Sequence, residues 1–238
     1  MVRSWQRVVW ALVLAMAVAV GASVFAAKRA ESAPGAAHGA GAVVEGRPAG
    51  PALGPTVLLS EILAGPARDW DLDGAFDARG DEWVEVQNTN AAATAMEEFR
   101  LADADTTVRY AFSGSLAPGE IFLVTGSAAV AWQRSVGRTV TGLSLNNAGD
   151  TVFLLRVAGT DTTVVDAHAY GSIEGASDRS TGRADWVSEA WALYDGLNPY
   201  TGSGTPSGTG CPPTPGGPNG CSTDVGSTTW GAIKRLYR

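Results

Sequence analysis

The stretch that decides the fold is DEWVEVQN, residues 81–88, because its side chains alternate in character as those of a β-strand do. Val84 and Val86 fall on one face of such a strand, whereas Trp83 and Glu85 fall on the other, since successive side chains of a strand point to opposite sides. The aliphatic face predicts a strand that packs against a core.

On either side of this strand, short apolar segments alternate with turn sequences over residues 56–170. The turns, such as APGE, NNAGD and AGTD, are rich in Gly, Pro, Asn and Asp. Short segments of this kind with little helix predict an all-β fold, an antiparallel β-sandwich of seven or eight strands in two packed sheets. The predicted strands are 56–63, 82–88, 98–103, 107–113, 120–126, 151–157 and 162–170, with 138–145 as a candidate eighth.

Two segments do not fit the strand pattern. Residues 127–137 have room for one helical turn. Residues 172–210 show weak periodicity and many Gly, Ser and Asp residues, so we expect them to wrap across the sandwich. The apolar side chains expected to cover the core from this wrapping segment are those of Trp186, Trp191, Leu193 and Tyr194.

The predicted core contains apolar side chains of the central strands, namely Val84, Val86, Leu123, Val152 and Leu154. Glu61, Glu82 and Glu85 also lie in or beside strands. A buried carboxylate without a partner is costly, so any of these glutamates that faces inward needs a partner, and Arg100 and Arg109 are the candidates.

Six carboxylates crowd the connection between the first two strands: Asp69, Asp71, Asp73, Asp77, Asp81 and Glu82. The pattern Asp-x-Asp-x-Asp-Gly at 69–74 matches the first six positions of a calcium loop, where alternating carboxylates converge on one hard cation. Gly80 stands at the twelfth position, where such a loop needs a bidentate acid, so the pattern is broken. The candidate calcium ligands are Asp69, Asp71, Asp73, Asp77 and Asp81.

Two other interpretations of this acidic loop stay open. It can be a solvated turn whose Asp side chains cap backbone N–H groups, or the acids between Asp69 and Glu82 can serve a secreted hydrolase, if a cleft raises one pKa. The sequence indicates no cleft, and we expect the acids to face solvent. It also contains no GxSxG, P-loop, GxGxxG or HExxH motif, so we predict no catalytic residue. His168 follows Asp166 on one strand face and is interpreted as structural.

The charge of residues 56–221 limits the choice of partner. This segment has nine arginines, no lysine and 21 acidic residues, a formal charge of −12. A surface that binds nucleic acid directly needs the opposite sign, so we expect no direct nucleic-acid binding. An acidic surface suits solubility or the binding of divalent cations.

Both ends of the chain differ in composition from this segment. Residues 1–27 combine Arg3 and Arg7 with an apolar run, 8–27, that ends in small residues, which predicts a secretory signal and an exported protein, secreted or at the cell surface. If 8–27 is not cleaved, it is long enough to anchor the protein in a membrane.

The segments next to the signal and at the C-terminus complete the predicted organisation. Residues 28–55 are rich in Ala, Gly and Pro and predict a flexible linker. Residues 222–238 predict a short amphipathic basic tail, for which docking on the sandwich, or no role at all, is favoured over a sorting or attachment signal.

The chain has two cysteines, Cys211 and Cys221, which bracket PPTPGGPNG. In an oxidising compartment we expect them to form a disulfide that closes a small loop. Too few ligands of suitable spacing accompany them for a zinc site, and a reactive thiol would lack a neighbouring base.

Several motifs in order resemble those of a known family. They are LLSEIL (58–63), DEWVEVQN (81–88), FRLAD (99–103), LAPGEIFLV (116–124), LSLNNAGDTVFLL (143–155), VVDAHAYG (164–171), SDRSTGRADWV (177–187) and TPGGPN (214–219). Together they resemble a bacterial lamin-tail domain. The resemblance implies an immunoglobulin-like β-sandwich with no enzymatic activity, which acts as a binding or structural module. The partner, a protein or a cell surface, is left open, and calcium is the only cofactor that the residues suggest.

Overall fold

The structure is a computed structural model, and it describes residues 57–185 and 189–221. The predicted signal (1–27), linker (28–55) and basic tail (222–238) therefore lie outside the described residues, as does Trp186. All described residues belong to one compact unit, Ala49–Arg238. Within them, no helix is long and apolar enough to cross a membrane.

The regular elements of the described residues are two large antiparallel sheets, a two-stranded sheet and one helix. Its elements, in order, are β1 (Val57–Leu63), β2 (Trp83–Asn88), β3 (Thr94–Ala95), β4 (Phe99–Ala102), β5 (Val108–Ala111), β6 (Ser115–Leu116), β7 (Ile121–Thr125), α1 (Gly126–Ser135), β8 (Gly149–Ala158), β9 (Asp161–Gly171), β10 (Ser180–Asp185) and β11 (Ala190–Tyr194). The first sheet has the order β11-β10-β1-β2-β7, the second has the order β5-β4-β8-β9, and β3 pairs with β6. The seven predicted strands other than the candidate at 138–145 are confirmed as β1, β2, β4, β5, β7, β8 and β9, and so is the β-sandwich.

The core lies between the two sheets and contains apolar side chains from both. Val84 and Val86 of β2 are at most 1% exposed, and Val152 and Leu154 of β8 at most 2%, as predicted. Leu123 is the exception, because it is only half-buried. It lies opposite Glu85 in the β2–β7 pair, so it is on the outer face of its sheet.

The candidate strand at 138–145 is wrong, because these residues form an irregular segment after α1. The amide of the buried Gln133 takes the place of a neighbouring strand. Its Oε1 accepts the N–H groups of Thr141 and Gly142, at 2.8 and 3.0 Å, and its Nε2 donates to the Gly142 carbonyl at 2.8 Å. The single turn predicted at 127–137 is a ten-residue helix, α1, capped by the Thr125 hydroxyl.

Residues 172–210 do more than wrap the sandwich. Two strands within them, β10 and β11, extend the first sheet beyond β1, where Glu61 lies opposite Gly182. Gly182 suits this place because a Cβ there would lie 2.7 Å from the Tyr194 ring. Leu193 and Tyr194 are buried as expected, whereas Trp191 is half-buried.

Candidate functional site

The acidic loop joins β1 to β2 and is fixed at both of its ends. Near its start, the Asp178 carboxylate accepts the Ala67 N–H and the Trp70 indole N–H, both at 2.9 Å, and pairs with Arg68 at 2.9 Å. At its end, the Gly80 carbonyl accepts the Ser127 N–H at the start of α1, at 3.0 Å. The packing of the sandwich therefore sets the position of the loop.

Asp81 is the centre of this loop and is 1% exposed, contrary to the expectation that the acids face solvent. Its Oδ1 accepts the N–H groups of Trp70 and Asp71, at 2.6 and 3.1 Å, and its Oδ2 accepts that of Asp77 at 2.7 Å. A carboxylate has about four lone-pair sites, so these bonds leave Asp81 about one. Asp81 therefore serves mainly to hold the loop backbone in its conformation.

Other aspartates of the loop also accept backbone N–H groups. Asp69 Oδ2 accepts from Gly74 at 2.9 Å and Asp71 Oδ1 accepts from Asp73 at 3.1 Å. These bonds are the capping that the solvated-turn interpretation expects. They leave Asp69 Oδ1 buried without a hydrogen-bond partner among the described residues.

The loop brings together three of the five predicted calcium ligands. Asp69, Asp71 and Asp81 each offer one oxygen atom, and these three atoms lie within 4.8 Å of one another. Oxygen ligands stand 2.3–2.6 Å from Ca²⁺, so two ligands on opposite sides of the ion are about 4.6–5.2 Å apart. The spacing therefore fits a calcium ion. Asp73 and Asp77 are exposed and are not in this group.

The surroundings of the loop bear on the hydrolase interpretation, which needs two acids facing each other across a cleft. A hollow of about 380 Å³ lies between the loop and α1, but its lining includes Asp77 and none of Asp69, Asp71, Asp81 or Glu82. Glu82 is buried, which raises its pKa to about 8, and its carboxylate accepts the Leu145 N–H at 3.2 Å. It too holds the backbone in place.

A second group of buried acids lies on the other side of the first sheet. Glu61 and Glu85 are both 0% exposed. Residues 211–221, which we call the C-terminal strap, cover them. A disulfide between Cys211 and Cys221 closes the strap, and the Cα atoms of the two cysteines are 4.9 Å apart. Burial, and then the neighbouring charge of Glu61, raise the pKa of Glu85 to about 9.

Hydrogen bonds attach the strap to these two acids. Glu61 accepts the Thr214 hydroxyl at 2.5 Å and the Thr214 N–H at 3.1 Å, and also accepts the Ser180 hydroxyl. Glu85 Oε1 accepts the Gly216 N–H, whereas Glu85 Oε2 is buried without a hydrogen-bond partner among the described residues. The TPGGPN motif is therefore the part of the strap that binds the sheet.

The arginines proposed as partners of these glutamates bind elsewhere. Arg109 forms ion pairs with Asp103 and Asp105, at 2.5 and 2.8 Å. Arg100 donates to backbone carbonyls, among them that of Glu97 at 2.6 Å. The hydrogen bonds that the buried glutamates accept come from hydroxyl and backbone N–H donors rather than from these arginines, so the predicted pairing is wrong.

His168 lies in a tightly packed group beside β10. Its ring stacks on Trp191 with centroids 3.6 Å apart, and its Nε2 lies 3.4 Å from the Glu174 carboxylate and 3.3 Å from the Thr181 hydroxyl. Burial by itself would raise the pKa of Glu174, but the hydrogen bonds with the His168 ring and the Gly171 N–H lower it below its usual value. Neighbouring side chains thus contact both the ring face and the Nε2 of His168, where Glu174 and Thr181 approach the same nitrogen. These contacts fit the interpretation of His168 as a structural residue.

Comparison with known proteins identifies the sandwich. A family model described as the Lamin Tail Domain matches residues 51–172, more than half of the 238 residues. The chain belongs to the lamin tail domain family. Lamin tail domains are immunoglobulin-like and non-catalytic, which agrees with the two antiparallel sheets found here. No curated protein matches the chain.

The family match ends before β10 begins. The strands β10 and β11 and the C-terminal strap thus follow the matched segment, although β10 pairs directly with β1 inside it. Motifs at 177–187 and 214–219, which resemble the family in sequence, also lie beyond the match. The acidic loop lies within it.

Proposed function

We propose that this protein is an exported binding or structural module whose lamin tail domain contacts another protein or a cell surface, and whose acidic loop is held in shape by a calcium ion. The observation that carries the calcium site is the approach of one oxygen each from Asp69, Asp71 and Asp81 to within 4.8 Å. Three oxygen atoms at that spacing suit a hard cation.

Membership of a non-catalytic family and the use of the loop acids both support a module rather than an enzyme. The carboxylates of Asp69, Asp71, Asp81 and Glu82 accept backbone N–H groups. A glycosidic acid–base pair instead faces a cleft that holds the substrate. Calcium at the loop would give the module a surface of fixed shape, and exported proteins meet the millimolar calcium that a weak site needs.

Two measurements test the proposal. Mass spectrometry of the mature N-terminus, after expression in a cell that exports the protein, distinguishes a cleaved signal from an anchor at 8–27, and recovery of uncleaved protein inside the cell would contradict export. Affinity capture from the exported fraction, with calcium or with EGTA, tests binding. We expect a partner that is retained with calcium and reduced with EGTA, and capture of none under either condition would contradict a binding role.

A further inference from the structure

A groove of about 820 Å³ opens beside the second sheet. One wall is the first half of β9, Thr163–Val165, and the other is formed by Asn90 and by residues 93–95. Glu97, Glu98, Phe99 and Arg156 also line it. Its surface is thus partly apolar, with polar groups at intervals, which suits a segment of extended chain.

The β9 wall of this groove is an edge strand. Within the described residues β9 pairs with β8 only, and its order in the sheet places it at the rim. Val164 on this strand is 60% exposed. Edge strands present unpaired N–H and C=O groups, and an added strand is a recurring way to satisfy them.

The strand β1 runs beside β9 in the same direction. Near its start, the Leu59 N–H donates to the Asp166 carboxylate at 2.8 Å. Further along, Ile62 lies opposite Thr181, whose hydroxyl is 3.3 Å from His168 Nε2. Moving from 59 to 62 in β1 therefore corresponds to moving from 166 to 168 in β9. The chain that precedes β1 is directed towards 165 and 164, the wall of the groove.

The opposite wall also begins where β1 begins. Val57, the first residue of β1, is 0% exposed and lies opposite Asn88. The Asn88 side chain accepts the Asn90 N–H at 3.0 Å and the Thr94 hydroxyl at 3.2 Å. The first residue of β1 is thus next to the turn that forms this wall.

We propose that the groove is the docking site of the chain's own residues 51–56, PALGPT, which precede β1 and lie outside the described residues. Six extended residues reach about 20 Å, enough to follow the first half of β9. The family model begins its match at 51 rather than at 57, which assigns these six residues to the domain. Leu53 is the segment's large apolar side chain, and docking would place it against Val164.

The composition of this segment also fits an edge position. It carries no charge, and its two prolines lack the N–H group that a central strand must donate. Docking would move the start of the domain to 51 and shorten the predicted linker to 28–50. It would also cover the exposed β9 edge, so that the attachment of the linker protects the domain from edge-to-edge association.

Hydrogen exchange in the full chain tests the docking. We expect Leu53→Asp to speed amide exchange in residues 161–166 at least tenfold, because the charged side chain would leave the groove, whose lining includes Glu97 and Glu98. The matched control is Val44→Asp, the same kind of change within the linker, and we expect it to leave exchange there unchanged. Equal exchange in the wild type and Leu53→Asp would overturn the proposal.

A double-mutant cycle separates this contact from general destabilisation. If Leu53 packs on Val164, the changes in melting temperature of Leu53→Asp and Val164→Asp combine non-additively. Additive changes would overturn the proposal. Sedimentation tests the other occupant, since a dimer of the full chain that Val164→Asp dissociates would assign the groove to a second copy instead.

Discussion

Thr214 donates both its backbone N–H and its hydroxyl to the carboxylate of Glu61, a residue 153 positions earlier in the chain. Glu61 is 0% exposed, so these donors replace water around a carboxylate in the interior. The contact fixes the C-terminal strap on β1. It therefore connects the part of the chain after the family match to the first strand of the domain.

Removing the Thr214 hydroxyl tests the energy of this contact. We expect Thr214→Val to lower the free energy of unfolding by about 1–3 kcal/mol, because a buried acceptor that loses its donor costs its desolvation energy. Urea denaturation measures the change. The control is Thr139→Val at an exposed position, for which we expect little effect. Equal stability of Thr214→Val and the wild type would show that the hydroxyl is dispensable.

The pair of Glu61 and Glu85 makes stability depend on pH. Burial, followed by the Glu61 charge, raises the pKa of Glu85 from its ordinary 4.5 to about 9. Between pH 4.5, the ordinary pKa of a glutamate, and about pH 9, the folded state binds more protons than the unfolded state, so the free energy of unfolding falls as pH rises. The contribution of Glu85 to stability is fully present below pH 4.5 and is lost by about pH 9.

We expect Glu85→Gln to flatten this decline, because the amide does not ionise. The slope from one such group is at most about 1.4 kcal/mol per pH unit, and urea denaturation between pH 5 and 9 measures it. Glu189→Gln, at an exposed position, is the control and is expected to keep the wild-type slope. Parallel profiles for Glu85→Gln and the wild type would contradict the assignment to Glu85.

Gln133 holds the segment between α1 and β8 in the absence of a strand. It is 1% exposed and donates to the Arg109 carbonyl at 3.0 Å, besides its bonds to residues 141 and 142. Replacement by Met keeps the length but removes every one of these bonds. We expect Gln133→Met to cost about 2–4 kcal/mol in thermal or urea unfolding, since several buried groups lose partners.

The exposed Arg134 on the same helix provides the control for that change. We expect Arg134→Met to have an effect within about 0.5 kcal/mol, as surface substitutions usually do. Similar losses in the two variants would mean that Met disturbs α1 itself and that the side-chain hydrogen bonds of Gln133 contribute little.

The sequence predicts seven strands well because their signal is local. Alternating side chains and turn residues occur within each segment, as in 81–88. The strand β10 lacks this signal: Ser180, Thr181 and Arg183 are polar yet buried. They are buried because β1 and β11 lie on either side of them, and that relationship spans more than a hundred residues. A pattern within one short segment cannot reveal a pairing between strands so far apart in the chain.

In the acidic loop, too, some features follow from the local sequence and others depend on distant residues. The residue types and their spacing predict Asp69, Asp71 and Asp81 as ligands. The exclusion of Asp73 depends on which way the folded loop turns, and Asp81 turns it by accepting three backbone N–H groups. The anchor at Asp178 lies about 110 positions away, and nothing in its own motif, SDRSTGRADWV (177–187), points to the loop.

The disulfide in the C-terminal strap is expected to stabilise the protein. The bond between Cys211 and Cys221 closes a short loop, for which the chain-entropy model gives about 2–3 kcal/mol. We expect the variant with both cysteines changed to Ser to melt lower while the sandwich remains folded. Thiol labelling of protein from the exported fraction checks the bond itself, and full labelling without a reductant would contradict it.

A calcium ion bound by the three grouped aspartates, Asp69, Asp71 and Asp81, would stabilise the folded state. Ligand that binds only the folded form raises stability, by about 2.7 kcal/mol at 100 times the dissociation constant. We expect a dissociation constant on the order of 10⁻⁴–10⁻³ M, as in extracellular sites, and a higher melting temperature in calcium than in EGTA.

Asp71→Asn removes a ligand charge but keeps an acceptor for the Asp73 N–H, so we expect it to abolish the calcium effect without unfolding the loop. Asp73→Asn is the matched control, because Asp73 is not in the group, and we expect it to keep the effect. If the wild type melts at the same temperature in calcium and in EGTA, the loop is a solvated acidic turn and the calcium proposal is wrong.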